Sequence, residues 1–138
     1  MHSLPAQSKM ANSQDLKIYR DVSRLLDSVF RMLKNVERFY RYTVGERMVT
    51  LTLDMLELIT LANRQEDKVD ALTTLADKNV VLTTLFRSCV NNKVLTPKQY
   101  ASYAMLLDQI GRQTTGWKNY ALKQRSLAKA ADNGSQTI

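Results

Sequence analysis

Few residues in this chain have the chemistry of a reactive site. The single histidine is His2, the single cysteine is Cys89, and the acids nearest to a paired arrangement are Asp54 and Glu57, three residues apart. One imidazole, in an N-terminal segment (residues 1–12) expected to be disordered, leaves no material for serine–histidine nucleophiles, imidazole acid–base relays or histidine metal sites. Two carboxylates at helical spacing offer paired acids or half of a two-metal site. A di-metal bundle, however, also draws on a Glu-x-x-His pattern that is absent here, and solvated or arginine-paired carboxylates share the same spacing. The stretch "TVGERM" holds one glycine, too few for a phosphate-cradling loop. The reading is a protein with no catalytic residue, no metal and no cofactor.

What the chain offers instead is positive charge. Against 13 Asp and Glu stand 20 Lys and Arg, a formal net charge of +7, with an isoelectric point near 9.7. Such a balance favours phosphate polymers or an acidic protein face, and it also keeps a small domain soluble. Lys17, Arg20, Arg24 and Arg31 fall within a sector of roughly 60° on one helix, almost opposite its apolar stripe, and form a cationic ridge interrupted by Asp27. A solvated outer face has the same pattern. Downstream, "NVERFYRYTVGERM" interleaves Arg38, Arg41 and Arg47 with Phe39, Tyr40 and Tyr42. That mixture suits phosphate contacts combined with base stacking, while aromatics near a helix junction also serve to plug the end of a bundle.

The elements that must position these residues are helices. Glycine and proline are scarce, and period-two alternation is not sustained. Apolar residues recur at helical spacing from Ser13 to about Asn35 (Ile18, Val22, Leu25, Leu26, Val29, Leu33), predicting a first amphipathic helix. The second, about Gly45 to Arg64, carries two stripes. Met48, Leu51, Met55, Leu58, Ile59 and Ala62 form one, and Val49, Leu53 and Leu56 the other. Together they cover an arc of roughly 220°, well beyond the ~100° of a surface helix, so this helix is central or its second stripe is an oligomer interface.

A third helix is expected over about Glu66 to Asn91, with Cys89 in its apolar register as a small core residue. In the fourth, Thr96 is the N-cap, Pro97 the first helical position and Gln99 the partner of a capping box, and the helix continues to about Lys123. Short connections favour an all-α, antiparallel up-down-up-down four-helix bundle over residues 13–125, followed by a flexible tail at 126–138. One cysteine fits a reducing compartment. No stretch has the ~20 apolar residues of a membrane span or resembles a signal-peptide core, which predicts a soluble cytoplasmic protein with no membrane partner.

Two stretches carry a resemblance. "ERFYRYTVGERM" and "LTPKQYASYAMLLDQIGRQTTGWKNY" closely resemble the accessory variability determinant proteins of diversity-generating retroelements, within a wider four-helix-bundle family that includes proteins encoded in intervening sequences of bacterial ribosomal RNA genes. The resemblance covers about Asp15 to Lys123. Its most specific part is the Thr-Pro start followed by Leu107, Ile110-Gly111-Arg112 and Gly116-Trp117. It implies a basic bundle without catalytic activity that assembles as a ring-shaped homopentamer, binds nucleic acid (template RNA, and DNA as well) and associates with the element's reverse transcriptase. Arg47, Arg87 and Arg112 occupy positions where the family pattern is also basic, whereas Thr83 and Thr84 replace further basic residues of its third helix.

On this reading the nucleic-acid contacts are Lys17, Arg20, Arg24, Arg31, Arg38, Arg41, Arg47, Arg87, Arg112 and Lys118, and the oligomer contacts are Val49, Leu53, Leu56 and Trp117. Gly111 and Gly116, each costing ~1 kcal/mol inside a helix, mark places where a neighbour comes close. Trp117 anchors core or interface. The rival reading is a protein-interaction adaptor whose basic face meets an acidic partner without binding nucleic acid.

Overall fold

The computed structural model describes residues 13–136. The N-terminal segment 1–12, expected to be disordered, lies outside the described residues. Among the described residues there are four long helices and no strand: α1 (Ser13–Leu33), α2 (Glu46–Arg64), α3 (Val69–Asn91) and α4 (Pro97–Gln136). Neighbouring helices pack as a bundle, α2 against α1 and α3, and α4 against α3 and α1. A short helical turn, Arg38–Tyr40, and a five-residue π-helical stretch, Arg41–Gly45, lead into α2.

The core is the set of stripes expected from periodicity. Ile18, Val22, Leu25 and Val29 of α1 meet Met48, Leu51, Met55 and Ile59 of α2, Leu72, Leu75, Leu82 and Phe86 of α3, and Leu107, Ile110 and Trp117 of α4. Cys89 joins them, and burial pushes its thiol above the ordinary range. Two buried threonines return their hydroxyls to their own helices. Thr52 donates to Met48 O at 2.7 Å and Thr114 to Ile110 O at 2.8 Å, so neither is left unsatisfied.

The helix ends follow from local chemistry. Thr96 and Gln99 form a reciprocal capping box: Gln99 N–H donates to Thr96 Oγ1 at 3.1 Å and Thr96 N–H to Gln99 Oε1 at 2.9 Å. The Lys68 ammonium closes the end of α2 by donating to the carbonyls of Ala62 and Gln65, both at 2.7 Å. After α3 the chain turns through Lys93, whose φ of 61° is the left-handed conformation that usually favours glycine at this position.

Two expectations are corrected. Helix α4 does not end near Lys123 but runs 40 residues to Gln136, so residues 126–136 of the stretch read as a tail continue the helix. Over residues 124–131 all but Ser126 are Ala, Leu, Lys, Gln or Arg, which supply high intrinsic propensity. Arg125 also fastens it to the α2–α3 connection, donating to Asp67 at 3.0 and 3.1 Å and standing 3.6 Å from Asp70. Trp117, counted among the oligomer contacts, is 1% exposed in the single chain and belongs to the core. No helix among the described residues is long and apolar enough to cross a membrane.

Candidate nucleic-acid interface

The ridge of α1 is present as a surface. Lys17, Arg20, Arg24 and Arg31 are all exposed, opposite buried Ile18, Val22, Leu25 and Val29. Its anchor is a residue that sequence reasoning passed over. Asp21 is only 2% exposed, its Oδ1 lies 3.8 Å from Arg20 Nε and 3.9 Å from Arg24 NH1, and its Oδ2 accepts from Gln113 Nε2 of α4 at 2.7 Å. The Gln113 hydrogen bond satisfies the buried carboxylate, and the two exposed arginines supply opposite charge beside it. The signal was in the spacing: Asp21 stands three after Ile18 and four before Leu25, an acid within a core register. Asp27, taken as the interruption of the ridge, is exposed.

The second basic group sits at the corner between α1 and α2. Arg38, Arg41 and Arg47 are exposed, as are Phe39 and Tyr42, while Tyr40 is half-buried. The π-helical stretch sets this arrangement. At regular α spacing Arg41, seven residues before Met48, would turn toward the core. The extra residue in the turn swings Arg41 outward, where it is exposed. Gly45 allows this close packing, since a Cβ there would lie 2.8 Å from Leu33 Cδ2 and 3.2 Å from Tyr40 O.

The third group borders a groove of about 790 Å³ between α3 and α4, lined in part by Asn79, Thr83, Arg87, Tyr100, Arg112 and Gly111. Arg87 Nε donates to Tyr100 Oη at 3.3 Å and Arg112 pairs with Asp108 at 3.0 Å. Asn79, buried at the floor, donates to Leu107 O at 3.1 Å, and a Cβ on Gly111 would come within 3.3 Å of the same amide nitrogen. That is the close approach expected of Gly111. Lys118 is half-buried, and Gly116 is an exposed groove residue.

The ridge of α1 and the groove between α3 and α4 therefore form separate basic groups. Helix α4 stands between two of the groups, with Gln113 turned toward α1 and Leu107 toward α3. On α2, Val49 and Leu56 are half-buried against the bundle's own core, and Leu53, 45% exposed, is the open member of the second apolar stripe. Asp54 pairs with Lys78 of α3 at 3.2 Å, the ordinary structural role weighed against paired-acid chemistry.

No curated protein and no solved structure matches this chain. The sequence model of the bAvd-like family does match, over residues 16–121, and its end at Ala121 coincides with the last fully packed turn of α4. By that match, over most of its 138 residues, the chain belongs to the bAvd-like family, the bacterial accessory variability determinants, as its motifs led one to expect.

Proposed function

We propose that this chain is a non-enzymatic accessory protein of a diversity-generating retroelement, binding nucleic acid through its basic surfaces and associating with the element's reverse transcriptase during mutagenic cDNA synthesis. In this reading up-down-up-down bundles assemble as a homo-oligomeric ring, with the Val49–Leu53–Leu56 stripe of α2, exposed at Leu53, at the subunit contacts. The observation that carries the nucleic-acid part is the α1 ridge, whose cations are exposed along about 21 Å of helix at about 1.5 Å per residue, long enough to meet several phosphates. Membership of the family supports the retroelement context. Binding of this kind is electrostatic, with counterion release giving affinity and little sequence preference.

The test is a fluorescence-anisotropy titration with RNA and DNA at several salt concentrations. Arg20 and Arg24 are poor choices for charge reversal, because a carboxylate at either would face buried Asp21 and weaken the fold. Lys17→Gln with Arg31→Gln avoids both ion pairs. The double variant is expected to weaken RNA and DNA alike and to lower the log–log salt slope by roughly one unit per lost phosphate contact. Unchanged affinity and slope would move the binding surface to the groove of Arg87 and Arg112. Absence of binding by the unmodified protein would favour the acidic-partner adaptor.

A further inference from the structure

The α1–α2 corner leaves two large aromatic rings in solvent. Phe39 is 68% exposed and Tyr42 is 63% exposed, in a segment that also holds Arg38, Arg41 and Arg47, all exposed. Neither ring plugs the bundle, the structural use that aromatics at a helix junction ordinarily have. The half-buried Tyr40 supports its neighbour, the Phe39 and Tyr40 rings meeting edge to face at 5.1 Å and 82°. The Arg38 guanidinium lies 5.5 Å from the centroid of the Tyr42 ring, so a cation covers one face of that ring and orders it.

We propose that this corner is a stacking platform for unpaired bases, selecting single-stranded over double-stranded nucleic acid; the proposal rests on the reading that the chain binds nucleic acid and assigns a substrate class to one part of its surface. A base in a duplex has both faces covered by its neighbours, whereas an unpaired base offers a free face to an exposed ring. Phe39 and Tyr42 supply rings on which such bases stack without regard to their identity. Arg38, Arg41 and Arg47 supply the cations that neutralise the intervening phosphates. The π-helical stretch makes the site, since it turns Arg41 out of the core register and into the company of the two rings. Turns of this kind are frequent at functional sites.

The experiment compares a single-stranded RNA with the duplex formed by pairing it fully with its complement, by fluorescence anisotropy across salt concentrations, for the unmodified protein, Phe39→Ala with Tyr42→Ala, and Tyr42→Phe. The double alanine variant is expected to lose about ten- to a hundredfold in affinity for the single strand, with duplex affinity and the salt slope unchanged because no charge is removed. Tyr42→Phe, which keeps the ring, is expected to bind as the unmodified protein does. In parallel, photocrosslinking of 5-bromouridine RNA to the unmodified protein, mapped by mass spectrometry, should place crosslinks on Phe39 or Tyr42, and this arm stands even if the alanine variant misfolds.

Equal losses on strand and duplex, unchanged single-strand affinity in a folded variant, or crosslinks confined to other residues would overturn the proposal. So would a fall in assembly mass in the variant, which would make the rings a protein contact. If the unmodified protein binds neither RNA, the nucleic-acid reading itself fails. If it binds both and only the aromatic variants are silent, the corner alone is refuted.

Discussion

Trp117 is the largest fully buried side chain among the described residues, and it follows Leu107, Ile110 and Thr114 at intervals of three and four. Truncation there removes an indole from the middle of the bundle, so Trp117→Ala should destabilise the chain by about 3–5 kcal/mol, read from denaturation midpoints. Light scattering on the folded variant should give the same assembly mass as the unmodified protein. A stable variant of lower mass would return Trp117 to the interface. That it is apolar and in register was legible in the sequence. Whether it faced its own bundle or another subunit was not, because a core stripe and a contact stripe have the same spacing. Asp21 shows the same limit: an acid in a core register reads as an irregularity until Gln113 of α4 and the flanking arginines are seen around it.

The start of α4 was recoverable from local chemistry, through the capping box of Thr96 and Gln99, whereas α3 begins at Val69 rather than near Glu66. The end of α4 was not recoverable. Asp132, Asn133, Gly134 and Ser135 are poor helix formers that read as a tail, and a fastening that spacing does not show comes from Arg125 meeting Asp67 on the connection between α2 and α3. The hydrogen bond from Arg125, helped by the Val69 N–H, holds the Asp67 carboxyl below its ordinary value of 3.8. A lowered folded-state pKa means that the contribution is complete above 3.8 and is lost as pH falls through the lower folded value. Acidification below 3.8 should therefore loosen the helical extension, seen as lower amide protection factors, taken relative to intrinsic exchange at the same pH, in residues 126–134 while core amides stay protected. In Arg125→Ala the same amides should exchange fast already at neutral pH, with no further acid step attributable to Asp67. Persistence of that step would assign the release to other carboxylates. The π-helical stretch at Arg41–Gly45 was equally hidden, since the close packing that needs a glycine at Gly45 is against Leu33 of another helix.

At the scale of the whole molecule, the second apolar stripe of α2 bears on assembly. Leu53 is the exposed member of that stripe, and a charge placed in an apolar subunit contact has no partner there. Light scattering at micromolar concentration should give an oligomer for the unmodified protein and a 15.8 kDa monomer for Leu53→Asp, with helicity unchanged. A monomer in both, or an oligomer in both, would mean that this stripe is not the contact. The sequence by itself determined the helical class, the core register, the capping box and the excess of positive charge, because periodicity, caps and composition are properties of residues close together in the chain. Only the tertiary structure decided that the basic residues divide among a ridge, an aromatic corner and a groove, that Trp117 turns inward, and that Phe39 and Tyr42 stay in solvent. Those outcomes depend on which flank of each helix meets which neighbour, a choice fixed by contacts such as Gln113 with Asp21, separated by 92 residues, and Asn79 with Leu107, separated by 28, that leave no mark on local spacing.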